Sequence, residues 1–401
     1  MSRQLFHLSF LSLLFYCLNL LSLVSTSPVG HPRDGEAKRL SRGSQAPQLM
    51  SRDTTLPLGD IDATFVLGSA ESQLAPGGTY PRLARLSDGG ILSISTYTDG
   101  SDRVLRVARS DDDGATFAVV GEVARSTGDM DNGYLLQLSS GSILAAFRNH
   151  DKDAAGAYTY FRISVCVSTD GGRTWTFLSQ AAEQAATSNG FNGLWEPFMR
   201  VGKDGAVQLT YSGELSQTNQ ETFRTLSRDG GATWTSPVNL GLHGATQQLR
   251  DGMQGIAATR DAATGQDALV MVFEVKDGAN FYLGTVTSYD DGNTWGSRNT
   301  IFRPANHNAG APQIATIGGN LAVVFMTDQD WTGSLNWPAQ ADIKMIFSSE
   351  LRNGQVTWDS TTMEVSQDSS YWPGAFQKSA DSIIAVYERG GIPHGKTVTS
   401  S

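Results

Sequence analysis

Cysteine is almost missing from this chain of 401 residues: only Cys17 and Cys166 occur. That excludes a disulfide framework, and the six histidines and two cysteines show no zinc-ligand spacing. There is no Gly-rich phosphate loop and no Asn-x-Ser/Thr sequon, so neither a cofactor nor N-glycosylation is expected. Charged residues are sparse at 17%, the net charge is −10, and Lys and Arg form no run. With a pI near 5.1, this balance argues against nucleic acid and acidic polymers as partners. Amphipathic helical periodicity is also lacking. From Asp60 onward, short β-branched and aromatic runs alternate with Gly, Asp and Asn turns. With 43 Gly and 9% aromatic residues, the profile is that of a β-rich globular protein.

What the chain does contain is one motif written four times. Ser-x-Asp-x-Gly-x-Thr-aromatic occurs at 110–117, 168–175, 227–234 and 288–295. The spacing of about 60 residues marks a repeat architecture in which each unit is one supersecondary block. The residue types suit a tight turn between antiparallel strands: Gly takes positive φ, Asp and Ser accept turn N–H groups, and the aromatic opens the next strand facing inward. These aspartates therefore read as turn devices rather than catalytic groups.

The N-terminus has a different composition. Met1 to Ser27 begins with Arg3, runs through a Leu-rich stretch and ends in small residues, which reads as a secretory signal peptide; a membrane anchor is the alternative. Residues 28–55 read as a flexible lead-in, and 56–401 as one domain. A secreted, extracellular protein is expected, with no membrane association after signal cleavage and a monomeric state. The mature chain would keep only Cys166, and a domain of this size can be stable without a disulfide.

Between the motifs lie six distinctive openings: Tyr80-Pro81-Arg82, Met130 to Gly133, Leu194 to Pro197, Arg250 to Met253, Ala309 to Gln313 and Tyr371 to Gly374. Each leads through a hairpin into an apolar second strand: Ile91–Ser95, Ile143–Phe147, Ala206–Tyr211, Ala268–Phe273, Leu321–Met326 and Ser382–Tyr387. This predicts an all-β, six-bladed β-propeller of four-stranded antiparallel blades. A degraded fifth motif is read in Ser348 to Trp358, and the last blade is short of sequence after Tyr387. The run Ala63 to Leu67 is expected to supply its fourth strand and close the ring.

In an antiparallel blade the start of the first strand and the end of the second share one face. The second-strand exits carry Asp99, Asp151, Glu214, Glu274, Asp328 and Glu388, and the openings add Asp131, Glu196 and Asp251. Solvated turns would account for any one of them, but an acidic residue at all six exits points to a carboxylate-lined funnel. Paired carboxylates are what hydrolysis of a glycosidic bond requires. Trp195 and Trp372 are candidate sugar platforms, though core packing is an equal reading for the aromatics here. His150, in Arg148-Asn149-His150-Asp151, is a candidate substrate hydrogen-bonder or a structural histidine.

The four motifs resemble the Asp-box repeat of sialidase-like six-bladed propellers, and the openings narrow the likeness. Leu194-Trp195-Glu196-Pro197-Phe198, Arg148 to Asp151, Arg250 to Met253, Val272-Phe273-Glu274, Ala309 to Gln313 with Phe325 to Asp328, and Trp372-Pro373-Gly374 together resemble the fungal exo-α-1,5-L-arabinanases. That resemblance implies secreted, retaining release of arabinobiose from arabinan chain ends, with arabinan or pectin side chains as the polysaccharide partner. It carries Glu196 over as general acid/base and Glu274 as nucleophile, with Glu214 next in line. It places Trp195, Arg148, His150, Asp151, Glu214, Arg250, Asp251, Asp328, Tyr371 and Trp372 at the substrate. A sialidase would instead need an arginine cluster, for which Arg82, Arg250 and nearby Arg303 are candidates, and a tyrosine nucleophile at Tyr371. Ala311-Pro312-Gln313 stands where a third arginine would be wanted. A non-catalytic carbohydrate- or protein-binding propeller is the third alternative.

Overall fold

Alternating apolar runs and Gly-rich turns build antiparallel hairpins, and four successive strands complete a sheet. The computed structural model describes residues 54–57, 63–367 and 369–400. The expected signal peptide and nearly all of the lead-in lie outside the described residues. The protein is an all-β propeller of antiparallel four-stranded sheets.

The first sheet comprises Thr79–Arg85, Ile91–Asp99, Asp102–Ser110 and Ala118–Ser126, and the second Asp129–Gln137, Ile143–Lys152, Tyr158–Ser168 and Thr176–Ala185. An eight-stranded sheet follows. Its two halves start at Leu194–Val201 and Arg250–Arg260 and meet through one parallel bridge, Gln220 to Arg250. Then come Ala309–Ile317, Asn320–Thr327, Asp342–Phe347 and Met363–Ser366. In the last sheet Ser370–Ser379, Ser382–Arg389 and Ile392–Ser400 are joined by Thr64–Gln73, with Phe65 opposite Ser400 and Gln73 opposite His394. Thr54–Pro57 adds a further edge strand, beginning two residues before the domain boundary expected at 56. Phe65 is fully buried and stacks on Phe347 at 4.0 Å.

The innermost strands contact one another in cyclic order, starting at Thr79, Asp129, Leu194, Arg250, Ala309 and Ser370 and returning to the first. They line a channel of about 340 Å³. Every one of them carries the same defect near its start. The register slips between Thr79 and Arg82, Asp131 and Tyr134, Trp195 and Phe198, Gly252 and Gly255, Gly310 and Gln313, and Tyr371 and Gly374. In each slip two residues face one, a β-bulge. The first extra residue always lies in the left-handed region: Tyr80, Asn132, Glu196, Met253, Ala311 and Trp372, with φ between 43° and 57°. None is glycine, so each position carries backbone strain of about 1 kcal/mol or more.

The four Ser-x-Asp-x-Gly-x-Thr segments are turns leaving the third strand of a sheet. In the second, Asp170 Oδ1 accepts the Thr174 N–H at 2.9 Å, Oδ2 accepts the Thr174 hydroxyl at 2.6 Å, and Ser168 Oγ accepts the Gly172 N–H at 2.9 Å. The other three repeat this clasp. The segment 348–358 lies at the equivalent place without the Asp–Thr clasp; there Asp261 reaches in to accept the Gly354 N–H at 3.0 Å. Gly172 shows why the fifth motif residue is glycine: φ is +88°, and a β-carbon would meet Leu92 of the first sheet at 3.0 Å.

The expected acidic ring at the second-strand exits is not formed, because those strands run longer than their apolar cores. Ile143–Lys152 and Asp267–Lys276 extend past the predicted ends at Phe147 and Phe273. Counted from the bulges, Glu274 aligns with Thr96, Arg148, Ser212, Met326 and Glu388, whereas Asp99, Asp151, Glu214 and Asp328 fall two or three residues further on.

Two stability tests follow from this packing. Gly172→Ala should lower the unfolding free energy by more than about 1 kcal/mol, seen as a lower urea midpoint at constant slope. Deleting residues 60–68 strips Phe65 and Leu67 from the core, so cooperative thermal unfolding should be lost; parent-like melting would show the strand to be dispensable.

Candidate active site

The bulges decide which side chains meet at the axis. Glu196 is the left-handed residue of its strand, and its carbonyl accepts the Gln254 amide from the next bulge at 2.8 Å. Glu274 lies opposite Gly252, the residue immediately before that second bulge. The two glutamates therefore flank Gly252, Met253 and Gln254 from either side. Both are half-buried and have pKa values raised above the ordinary 4.5.

Their environments differ. Glu274 is pushed up to about 7, by burial first and then by the charge of Glu196; the Ala311 N–H, Arg250 and Lys276 pull the other way. Ala311 can donate to Glu274 Oε2, at 2.7 Å, because it is itself a left-handed bulge residue. Gly310 leaves the room: a β-carbon there would lie 2.8 Å from Glu274 Oε2. Glu196 is raised chiefly by burial and pulled down by Arg148, and its Oε2 is buried with no hydrogen-bond partner. The Ser212 hydroxyl and the Met253 N–H also pull Glu196 down, so each glutamate has a bulge N–H that favours its anion.

Around this pair lies a dense set of charges. Arg148 donates to Asn132 Oδ1 at 2.6 Å and Asp129 Oδ1 at 3.1 Å, and its guanidinium sits 5.4 Å from the Trp195 ring. Asp131, almost fully buried, accepts from Thr96 and from Arg103. Tyr80 stacks on Trp372 at 4.4 Å and 18°, and its phenol is influenced by Arg148, Asp131, Glu196 and Glu274 together, with burial holding it well above the ordinary range. Arg82 lines the channel below and is pulled down to about 10 by burial; it donates to the carbonyls of Pro81 and Trp372. From the sequence, Tyr80 is one of several aromatics that read as core or sugar platform, and Arg82 is a candidate for a sialidase arginine cluster. Tyr80 takes the same bulge position as Glu196, and Arg82 the position of Phe198.

Other expected site residues are placed elsewhere or are already occupied. Glu214 is buried, accepting the Gly193 N–H and the Arg250 guanidinium at 2.9 and 2.6 Å. Asp151 is exposed and paired with Arg162 on the neighbouring outer strand at 2.7 Å, away from the pair. His150 is fully buried, accepts the Arg162 backbone N–H at 3.2 Å, and packs edge-on against Phe161 and Trp195; burial pulls its imidazole down to about 3. Its Nε2 is buried without a hydrogen-bond partner. Trp195 packs in that same aromatic group. Asp328 is fully buried and holds the Asn308 backbone and side-chain amides at 2.6 and 3.0 Å. Tyr371 donates to the Ala339 carbonyl at 3.1 Å.

Asp251 is fully enclosed, gripped by Arg298 through two bonds of 2.7 and 2.9 Å and by His243 Nδ1 at 2.9 Å. Glu221 approaches the other ring nitrogen of His243 at 3.2 Å. The imidazole thus lies between the two carboxylates with one nitrogen on each, and Arg298 neutralises Asp251. A cation would have to displace both, so this buried group fits an ion-pair network rather than a metal centre.

Of the three arginines named for a sialidase, Arg82 lines the channel and has no carboxylate at ion-pair distance among the described residues. Arg250 is held by Glu214, and Arg303 is exposed, paired with Asp277 and set over Tyr282 at 4.2 Å.

No family description matches the chain, and no curated protein matches it in sequence. Solved structures do resemble its fold. The α-L-arabinanase of Penicillium chrysogenum complexed with arabinobiose superposes with a TM-score of 0.61 at 18% identity, over 82% of this chain and 94% of that one. The GH93 α-L-arabinofuranosidase of Fusarium graminearum in complex with arabinobiose gives 0.62 at 20% identity, over 81% and 93%. The NanB sialidase of Streptococcus pneumoniae gives 0.53 at 12%, over 82% and 70%. At such identities the likeness is one of fold, and the chain shares the propeller arrangement of these glycan-cleaving enzymes.

Proposed function

We propose that this protein is a secreted, retaining glycoside hydrolase of six-bladed propeller architecture, an exo-α-1,5-L-arabinanase releasing arabinobiose from arabinan ends. The observation that carries the reading is the pair Glu196 and Glu274, flanking one bulge and both raised by burial, with the charge of Glu196 raising Glu274 further. Six blades follow if the eight-stranded sheet is counted as two and Thr64–Gln73 closes the last.

Such a pair holds one proton at weakly acidic pH, which is the state that retaining hydrolysis starts from. Glu196 gives its proton to the glycosidic oxygen while the Glu274 carboxylate attacks the anomeric carbon, forming a glycosyl ester and freeing the leaving sugar. Glu196, now ionised, takes a proton from water as that water attacks the same carbon, and Glu274 departs as carboxylate. Its Oε2, already held by the Ala311 N–H, needs no reorganisation to carry charge.

The protein with linear 1,5-arabinan should release arabinobiose on chromatography, and Glu196→Gln or Glu274→Gln should cut that release by at least about 100-fold. Both variants should melt at or above the parent, because each removes a buried like charge. Turnover of a sialyl substrate instead would favour the sialidase, and no turnover of either substrate would favour a binding propeller.

The pH profile is a separate check. Below the lower apparent step both carboxyls are protonated and no nucleophile exists; above the upper step both are ionised and no acid exists. The raised value of about 7 marks the upper step of the pair as a whole and not the titration of Glu274 alone, so the bell should peak on the acid side of neutrality. An optimum above about pH 8 would contradict the shared proton.

A further inference from the structure

Glu274 has a built wall beside it that the carboxylate chemistry does not use. The same empty point above Gly310 that lies 2.8 Å from Glu274 Oε2 lies 3.1 Å from Trp337 Cζ2, so indole and carboxylate share one corner of the funnel. Trp337 is half-buried and stacks on Phe281, with ring centroids 6.4 Å apart and 29° between planes. Lys276 is two residues beyond Glu274 on the same strand and therefore on the same side of the sheet. Its ammonium lies 4.9 Å from the Phe281 centroid and has no carboxylate at ion-pair distance among the described residues. An apolar face, a free donor cation and a catalytic carboxylate thus meet in one place.

The wall is held from behind. Asp328 grips Asn308, and Asn308 Oδ1 in turn accepts the Phe281 N–H at 3.1 Å. The loop 328–341 that carries Trp337 is tied down by the Trp331 N–H on the Asp328 carbonyl, by the Lys344 to Asp330 ion pair, and by the Tyr371 hydroxyl on Ala339. The expected site residues Asp328 and Tyr371 are in this sense positioning residues for the wall. Such anchoring leaves little side-chain freedom to be lost on binding, which favours a sugar-stacking surface over a loosely packed loop.

We propose that Trp337, backed by Phe281 and flanked by Lys276, is the sugar-binding wall of the subsite at Glu274, with a neutral sugar ring stacked on the indole and its hydroxyls hydrogen-bonded by the Lys276 ammonium. This rests on the glycoside hydrolase reading for its ligand class.

The test uses the full chain carrying Glu196→Gln, so that bound oligosaccharide is not cleaved. Calorimetry measures affinity for linear 1,5-arabino-oligosaccharides and for a panel of other neutral oligosaccharides. Adding Trp337→Ala should weaken binding by roughly tenfold or more, whereas Trp337→Phe, which keeps an aromatic face, should stay within about threefold. In the active protein Trp337→Ala should raise KM more than it lowers kcat. Unchanged affinity in Trp337→Ala overturns the subsite. If the Ala variant does not fold, Lys276→Met reads the same wall: weaker binding supports it, and parent-like binding overturns it. A parent that binds a neutral sugar other than arabinan removes the arabinanase reading while the Trp337 comparison on that sugar still decides the subsite. A parent that binds none of the panel removes both.

Discussion

A two-residue bulge whose first member has left-handed backbone occurs at the start of all six innermost strands. Without it each strand would continue its two-residue alternation and turn the site side chains back into the sheets. With it, Glu196 is aimed at the axis, Ala311 presents its N–H to Glu274, and Tyr80 is laid against Trp372. The strain at these non-glycine positions is offset by the cores behind them, where Phe147, Tyr211, Phe273, Phe325 and Tyr387 face the bulges from the second strands and are buried. Six of the twelve described non-glycine residues with left-handed backbone thus lie at the height of the propeller where chemistry is proposed.

The electrostatics of the site follow from the same geometry. Burial moves both carboxyls upward, and a like charge adds to it in each case: Glu214 for Glu196, and Glu196 for Glu274. The cations nearby are mostly engaged: Arg148 by Asp129, Arg103 by Asp131, and Arg250 by Glu214. Lys276 lacks a carboxylate of its own and sits where a ligand would arrive. Arg82, which donates only to the Pro81 and Trp372 carbonyls, is a second cation near the pair without a carboxylate at ion-pair distance among the described residues.

Some of this was readable from the chain directly. The Ser-x-Asp-x-Gly-x-Thr turns recur at even spacing and make only local bonds, so residue types at fixed offsets suffice to identify them. The openings stood out for a similar reason, since four of the six place a proline directly after the left-handed bulge residue. Glu196 beside Pro197 and Glu274 after a run of buried β-formers were visible as candidates on those grounds.

The acidic exits were misaligned because apolar composition ends before the strand does: Arg148, Ser212 and Glu274 continue the ladder as polar residues facing the funnel, and hydrophobic periodicity cannot count them. The fate of Asp251, Asp328 and His150 was likewise hidden, because their partners Arg298, Asn308 and Trp195 are brought to them by packing between strands and loops distant in the chain. Trp337 is the extreme case, a loop residue reaching Glu274 only through the folded course of 328–341. Turns and strand order are local matters of backbone preference and alternation, so sequence carries them; burial and pairing depend on which side chains the packed sheets bring together, and those neighbours exist only once the chain is folded.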